Sequence, residues 1–196
     1  METNAGMKTV RLSLSEEGNV QSITVGMGKP VFSPEQIPAA LPGDSVTGRP
    51  LSVAGQQMLI TAMRMSVPHC VIFTDHLDEV DVNGLGSKIE IHPAFPAKIN
   101  VNFVQVMNRD HMRIKTWERA AGRTLACGTG CCASAVAGRL LGLINDTVTL
   151  QAEGGELVIH VDEDYQVTMT GGAEFICSGS FSDWVVMRAG KKAEQK

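Results

Sequence analysis

The strongest chemical signal in the chain is the run Cys127-Gly128-Thr129-Gly130, which is followed as far as Leu141 by residues that are nearly all small or apolar. That pattern puts a cysteine where a helix begins. The first N–H groups of a helix lack internal partners and carry partial positive charge, so they bind anions and lower the pKa of an adjacent thiol. Glycine on either side of Thr129 lets backbone come close to a ligand. The reading is a reactive thiol and a carboxylate-binding nest in one turn. Just upstream, Glu118 and Arg119 close a polar segment; neighbours on a strand point to opposite faces, so one of them can face the site and hold an amino or carboxylate group. His69, between Pro68 and an apolar run, reads either as a structural histidine or as support for the site, and Asn100 and Asn102 share one strand face as neutral hydrogen-bonding contacts. Cys131 and Cys132 fall inside the helix and read as packing; Cys177 reads as structural in a late strand.

The elements that must position these groups are mostly strands. Val10–Leu14 and Val20–Val25 alternate around a turn containing Gly18 and Asn19, a hairpin pattern. Five of the eight prolines lie between Gly28 and Pro50, where neither a helix nor a central strand can persist. Alternation resumes over Leu51–Ser66 and leads to a buried strand at His69–Phe73. Leu77–Ile91 has helical spacing weakened by Gly84 and Gly86. Ile99–Val106 and Met112–Trp117 form a second hairpin pattern. Beyond the apolar helix, Gly130–Leu141, further strands are expected at Thr147–Ala152, Glu156–Val161, Gln166–Thr170 and Ala173–Phe181. A helix that is small and apolar all round is buried on all sides, so the expected fold is α+β, an antiparallel sheet wrapped around a central apolar helix.

Composition bounds the rest. The 196 residues are 43% hydrophobic and 19% charged with a net charge of −4, values of a globular chain rather than a disordered one. The acidic balance and lack of a basic run exclude a nucleic-acid footprint. No leader pattern opens the chain and no window approaches the ~18 apolar residues of a membrane span, so no membrane partner is expected and the location is read as cytoplasmic. Five cysteines, an odd number with two adjacent, argue for reduced thiols and against a disulfide framework or a metal site.

Trp117-Glu118-Arg119, Thr124–Gly130, Pro68–Val71, Asn100–Phe103 and Met169–Phe175 together closely resemble the carboxy-terminal half of diaminopimelate epimerase. The resemblance implies a cofactor-independent isomerase of two lobes, in which one cysteine from each lobe faces the substrate α-carbon and inverts it, LL- to meso-diaminopimelate, without pyridoxal phosphate. It implies Cys127 as one acid/base thiol, Gly128 and Thr129 as N–H donors to the α-carboxylate, and Glu118 and Arg119 at the amino-acid group. Asn100 would hold the distal end and His69 would support catalysis. On this reading residues 1–30 are the last strands of the first lobe, 31–50 a Pro-rich linker, 51–183 the carboxy-terminal lobe and 184–196 a polar tail. The partner cysteine's Cys-Gly-Asn-Gly motif is absent from the sequence, and Val67 stands where the family carries asparagine. The expected partners are therefore diaminopimelate and either a complementing amino-terminal lobe or a second copy. The alternatives are a non-catalytic amino-acid-binding or interaction remnant, and a racemase of another amino acid.

Overall fold

In the computed structural model, residues 2–3 and 6–180 are described. A short pair, β1 (Glu2–Thr3) and β2 (Gly6–Met7), stands apart from one large sheet. The large sheet contains β3 (Val10–Leu14), β4 (Val20–Gly28), β5 (Val46–Val53), β6 (Gln56–Met65), β7 (Val67–Phe73), β8 (Asn100–Asn108), β9 (His111–Glu118), β10 (Gly122–Thr124), β11 (Thr147–Ala152), β12 (Gly155–Val161) and β13 (Val167–Gly171). Their order is β3-β4-β13-β12-β11-β9-β8-β7-β6-β5, with β10 paired to β9. The helices are α1 (Val82–Glu90) and α2 (Gly128–Leu140), and a 3-10 turn covers Leu77–Glu79.

Most neighbouring strands run antiparallel, as alternation and short turns dictate, but β7–β8 and β9–β11 run parallel. Parallel neighbours need a crossover of a dozen or more residues. The helices lie in those two crossovers, α1 between β7 and β8, α2 between β9 and β11, and they pack on opposite faces. Alternation sorts the side chains accordingly. Val71, Val104, Met112 and Ile114 join the core around α2, whereas Cys70, Ile72, Val101 and Phe103 join a second core with Val82 and Ile89 of α1. Cys131 through Ala137 are buried on every side of α2. The sheet therefore curls around that helix, as its composition predicts.

On the other face, Gly86 lets α1 approach β9: a Cβ there would stand 2.6 Å from Trp117 Cβ and 2.7 Å from Trp117 Cγ. These are atoms next to the backbone, so the helix itself would have to shift. Gly86→Ala gains up to about 1 kcal/mol of helix propensity, and overpacking costs about 1–3 kcal/mol. A net loss is expected, read as a lower urea midpoint with an unchanged slope.

Several expected boundaries move. The strand read from Leu51 is two strands, and β5 begins at Val46 and includes Pro50. It lies at the sheet edge, where a proline without an N–H is tolerated. Within the proline-rich segment, Ile37 is fully buried in the α1-side core and Val31 bridges to Arg64. The strand expected over Ala173–Phe181 does not form across its described part, up to Ser180. Its predecessor β13 already has β12 on one side and β4 on the other, so β13 offers it no free edge to pair with. Phe175, Ile176 and Cys177 are exposed, and the structural role read for Cys177 is thereby overturned. The polar tail at 184–196 lies outside the described residues.

Candidate active site

Even-numbered positions of β8 and β9 and odd-numbered positions of β7 face α2, by the period of two along each strand. This brings His69 (β7), Asn100 and Asn102 (β8) and Thr116 and Glu118 (β9) to one face, over the start of the helix. Cys127 is the N-cap of α2, in extended conformation, and its carbonyl accepts the first helical bond from Cys131 N at 2.9 Å. The N–H groups of Gly128, Thr129 and Gly130 thus stand at the open end of the helix, where an anion is favoured. Gly130 is required for the close approach: a Cβ there would lie within 3.4 Å of Asn102 Cγ and closer still to its oxygen.

The Cys127 thiol is 7% exposed and donates to Glu118 Oε2 at 3.1 Å. Its sulfur also lies 3.5 Å from Thr129 Oγ1. Burial pushes the thiol above its ordinary pKa. The Thr129 hydroxyl opposes this, the Glu118 carboxylate adds to it, and the Gly130 amide opposes it, the net shift being upward. The helix start alone was expected to lower that pKa; in this closed packing desolvation and an adjacent carboxylate outweigh it. The resting pair is a thiol beside a carboxylate that can receive its proton.

His69 is completely buried, and its Nε2 is 3.0 Å from Thr129 Oγ1. Burial, with a smaller contribution from the charge of Arg119, pushes its pKa down to about 3. It is therefore a neutral imidazole. Asn100 engages both ends of its amide, donating to the Pro68 carbonyl at 3.1 Å and accepting from Arg119 N at 2.7 Å. It thus ties the end of β9 to the start of β7. The Arg119 guanidinium donates to the Ala97 carbonyl at 3.0 Å. Glu118, His69 and Thr129 therefore converge on Cys127, Gly128 and Thr129 stand at the helix's open end, and Asn100 and Arg119 brace the rim.

Sequence reasoning missed Glu90. This buried carboxylate at the end of α1 accepts from Trp117 Nε1 at 2.7 Å, from Ala120 N at 3.3 Å and from Lys98 Nζ at 3.4 Å. It therefore clasps both sides of the turn that presents Glu118 and Arg119. Nothing in the local pattern around Glu90 signals contacts that lie 27 and 30 positions away. Thr116 was missed as well; its position two before Glu118 on an alternating strand was the available signal. Among the described residues no group of three or more His, Cys, Asp or Glu side chains is placed to hold a metal ion, and no helix is long and apolar enough to cross a membrane.

A sheet curled around a helix in this way is found in solved structures. A probable proline racemase from Agrobacterium radiobacter K84 matches 93% of this chain and 61% of its own with a TM-score of 0.61 at 15% identity. A phenazine biosynthesis protein of the PhzF family from Bacillus anthracis matches 90% and 65%, with a TM-score of 0.59 at 14% identity. At such identities the likeness is one of fold alone, and the class it defines is structural: an α+β protein whose sheet curls around a helix. The family model for diaminopimelate epimerase matches residues 61–176. The diaminopimelate epimerases of Desulfitobacterium hafniense and Pelotomaculum thermopropionicum are each 44% identical to the chain, over 91% and 92% of its length. The chain belongs to the diaminopimelate epimerase family. It spans 63% and 64% of those two relatives.

Proposed function

We propose that this chain supplies one of the two thiols of a cofactor-independent epimerase acting on diaminopimelate, LL- to meso-, a precursor for lysine. The observation that carries the reading is the Cys127–Glu118 pair at 3.1 Å beside an open helix start. An α-amino-acid C–H is a very weak acid. The carboxylate next to it must be held by preorganised donors that stabilise the developing carbanion, and the N–H groups of Gly128 and Thr129 serve this purpose. Glu118 takes the thiol proton, the Cys127 thiolate removes the α-proton from one face, and a thiol on the opposite face delivers a proton to complete the inversion. Arg119 and Asn100 flank the substrate. The reduced thiols fit a cytoplasmic setting.

The opposite thiol has to come from outside these 196 residues, since no second cysteine here stands in a glycine-rich turn. A surface for the piece that carries it is available. From the core around α2, the row Ile159–Met169–Val25–Val10 runs to the edge of the sheet, with Leu12 opposite Ile23 and Leu14 opposite Val20. Leu12 and Leu14 are 52% and 54% exposed. An apolar sheet face of that kind is a docking surface or an aggregation hazard. A complementing amino-terminal lobe covering β3 and β4 satisfies both needs.

The test is deuterium uptake at the α-carbon of diaminopimelate in heavy water, with the chain mixed with an amino-terminal piece containing a Cys-Gly-Asn-Gly turn. Uptake and inversion that require both pieces are expected. Uptake with another amino acid but not with diaminopimelate would reassign the substrate, and Val67 is where the pocket would differ. No uptake with any amino acid, although the two pieces associate, overturns the catalytic reading.

A further inference from the structure

The hydrogen bonds around His69 have a direction. Asn102 Nδ2 lies 3.4 Å from the Cys70 carbonyl, which can only accept, and its Oδ1 accepts from Thr116 Oγ1 at 3.3 Å. The amide is therefore turned with its NH₂ towards β7, and the same nitrogen is 3.1 Å from His69 Nδ1. A neutral imidazole has one donor and one acceptor nitrogen. With Nδ1 accepting, the proton sits on Nε2 and is donated to Thr129 Oγ1 at 3.0 Å. The Cys127 S–H is committed to Glu118, so the contact from Thr129 to sulfur runs as O–H towards Sγ. Each group donates to the next in one sense, from Asn102 through His69 and Thr129 to Cys127 and finally to Glu118.

We propose that Asn102 is a positioning residue: by fixing the Nε2–H tautomer of His69 it turns the Thr129 hydroxyl towards Cys127, where it donates to the thiolate. When the S–H proton passes to Glu118 Oε2, the carboxylate becomes a neutral acid and the sulfur gains the negative charge. The Thr129 O–H already points at it. If the tautomer were reversed, Nε2 would accept, the hydroxyl would turn to His69, and the thiolate would lose its hydroxyl donor, keeping only the Gly130 amide. The Gly130 amide faces the sulfur in either tautomer and so adds to the hydroxyl without replacing it, and the remaining groups supply no donor. Glu118 on β9 accepts the S–H rather than donating to the sulfur, Cys131 one turn along α2 is a buried thiol, Met169 of β13 lies against Gly128 and carries no proton, and the Arg119 charge acts on His69. This inference rests on the reading of Cys127 as the proton-carrying thiol, but neither measurement below needs substrate or a second lobe. Each can therefore fail while that reading stands.

The experiment uses the whole chain. Nitrogen-15 spectra of the imidazole ring should show His69 neutral and protonated at Nε2 from mildly acidic to mildly alkaline pH. The titration of Cys127 is followed by the rate of alkylation with iodoacetamide, read on the Cys127 peptide so that exposed Cys177 does not interfere. Thr129→Val should raise the midpoint by about one to two pH units, the effect of one hydrogen bond to a charged group, and Thr129→Ser should restore it. Asn102→Leu should add the Nδ1–H tautomer to the His69 spectrum and raise the same midpoint. The double variant should shift it no further than Thr129→Val alone, because Asn102 acts through that hydroxyl. A wild-type His69 protonated at Nδ1 overturns the proposal, as does a Thr129→Val midpoint equal to that of wild type, or shifts that add in the double variant. If Asn102→Leu does not fold, the wild-type ring spectrum and the Thr129 pair still decide.

Discussion

Cys127→Ala lowers α-deuterium uptake in the complemented protein by about a hundredfold to ten-thousandfold, the range that one positioned acid/base group contributes. On the proposed mechanism the variant removes the atom that meets the α-proton and little else. Cys127 caps α2 through its backbone, and its side chain makes no capping bond, so the helix start survives. Glu118 loses a donor but is only partly buried, and water replaces the thiol. Cys127→Ser fares no better, because a serine hydroxyl at this place has no base strong enough to ionise it. Cys131→Ala provides the control. That thiol is fully buried one turn along, desolvation pushes its pKa up to about 12, and it contacts no carboxylate oxygen, so uptake stays near the wild-type rate. In the wild type, uptake should rise with pH through neutrality, since the reacting form is the thiolate of a group whose pKa burial has raised. Equal uptake by wild type and Cys127→Ala would remove this cysteine from the mechanism.

Glu90→Ala should cost about 2–4 kcal/mol of stability at neutral pH, measured by urea unfolding. The loss comes mainly from stranding the Trp117 indole N–H and the Ala120 N–H, both of which now end on the carboxylate. The Lys98 partner is 53% exposed at its side chain and its ion pair contributes little once solvent screening is counted. The pH dependence follows from the direction of the shift. Burial alone would raise the Glu90 pKa, but the bonds from Trp117, Ala120 and Lys98 together overcome it and hold the group below the ordinary carboxylate value. Its contribution is therefore complete above about pH 4.3, the unfolded value, and is lost as pH falls through the lower folded value. The gap between wild type and Glu90→Ala should be constant near neutrality and close on acidification. Catalysis should fall with it, because the loosened turn carries Glu118 and Arg119. A variant as stable as wild type would mean the clasp is redundant.

The two examples mark how far the sequence can be read. Cys127, Glu118 and the buried helix were legible because each announces itself locally, through a glycine-flanked thiol, a charge at a strand end and a run with no polar face. Alternation alone puts Asn100 and Asn102 on one strand face. What alternation does not give is the partner of each side chain. Glu90 and Trp117 meet only because α1 crosses from β7 to β8 on the far side of the sheet, and His69 reaches Thr129 only because the sheet curls. The expected lowering of the Cys127 pKa failed for the same reason: a helix start is visible in sequence, but the desolvation that outweighs it depends on what closes over the sulfur. The strand expected over Ala173–Phe181 does not form in its part up to Ser180, because local propensity carries no information about whether the preceding strand has a vacant edge.

The helix behind the thiol has one more consequence. Its middle, from Cys131 to Gly138, contains nothing larger than valine, and strands from β6 to β13 press on it from around its circumference. A rod gripped in that way can neither slide nor roll without prising the sheet open. The first turn, with its sulfur and its free amides, therefore behaves as an anvil. On the proposed function, the motion that admits a substrate and shuts water out must be made by the complementing lobe, and changes in release rate should be sought along the edge formed by β3 and β4 rather than in the helix that carries Cys127.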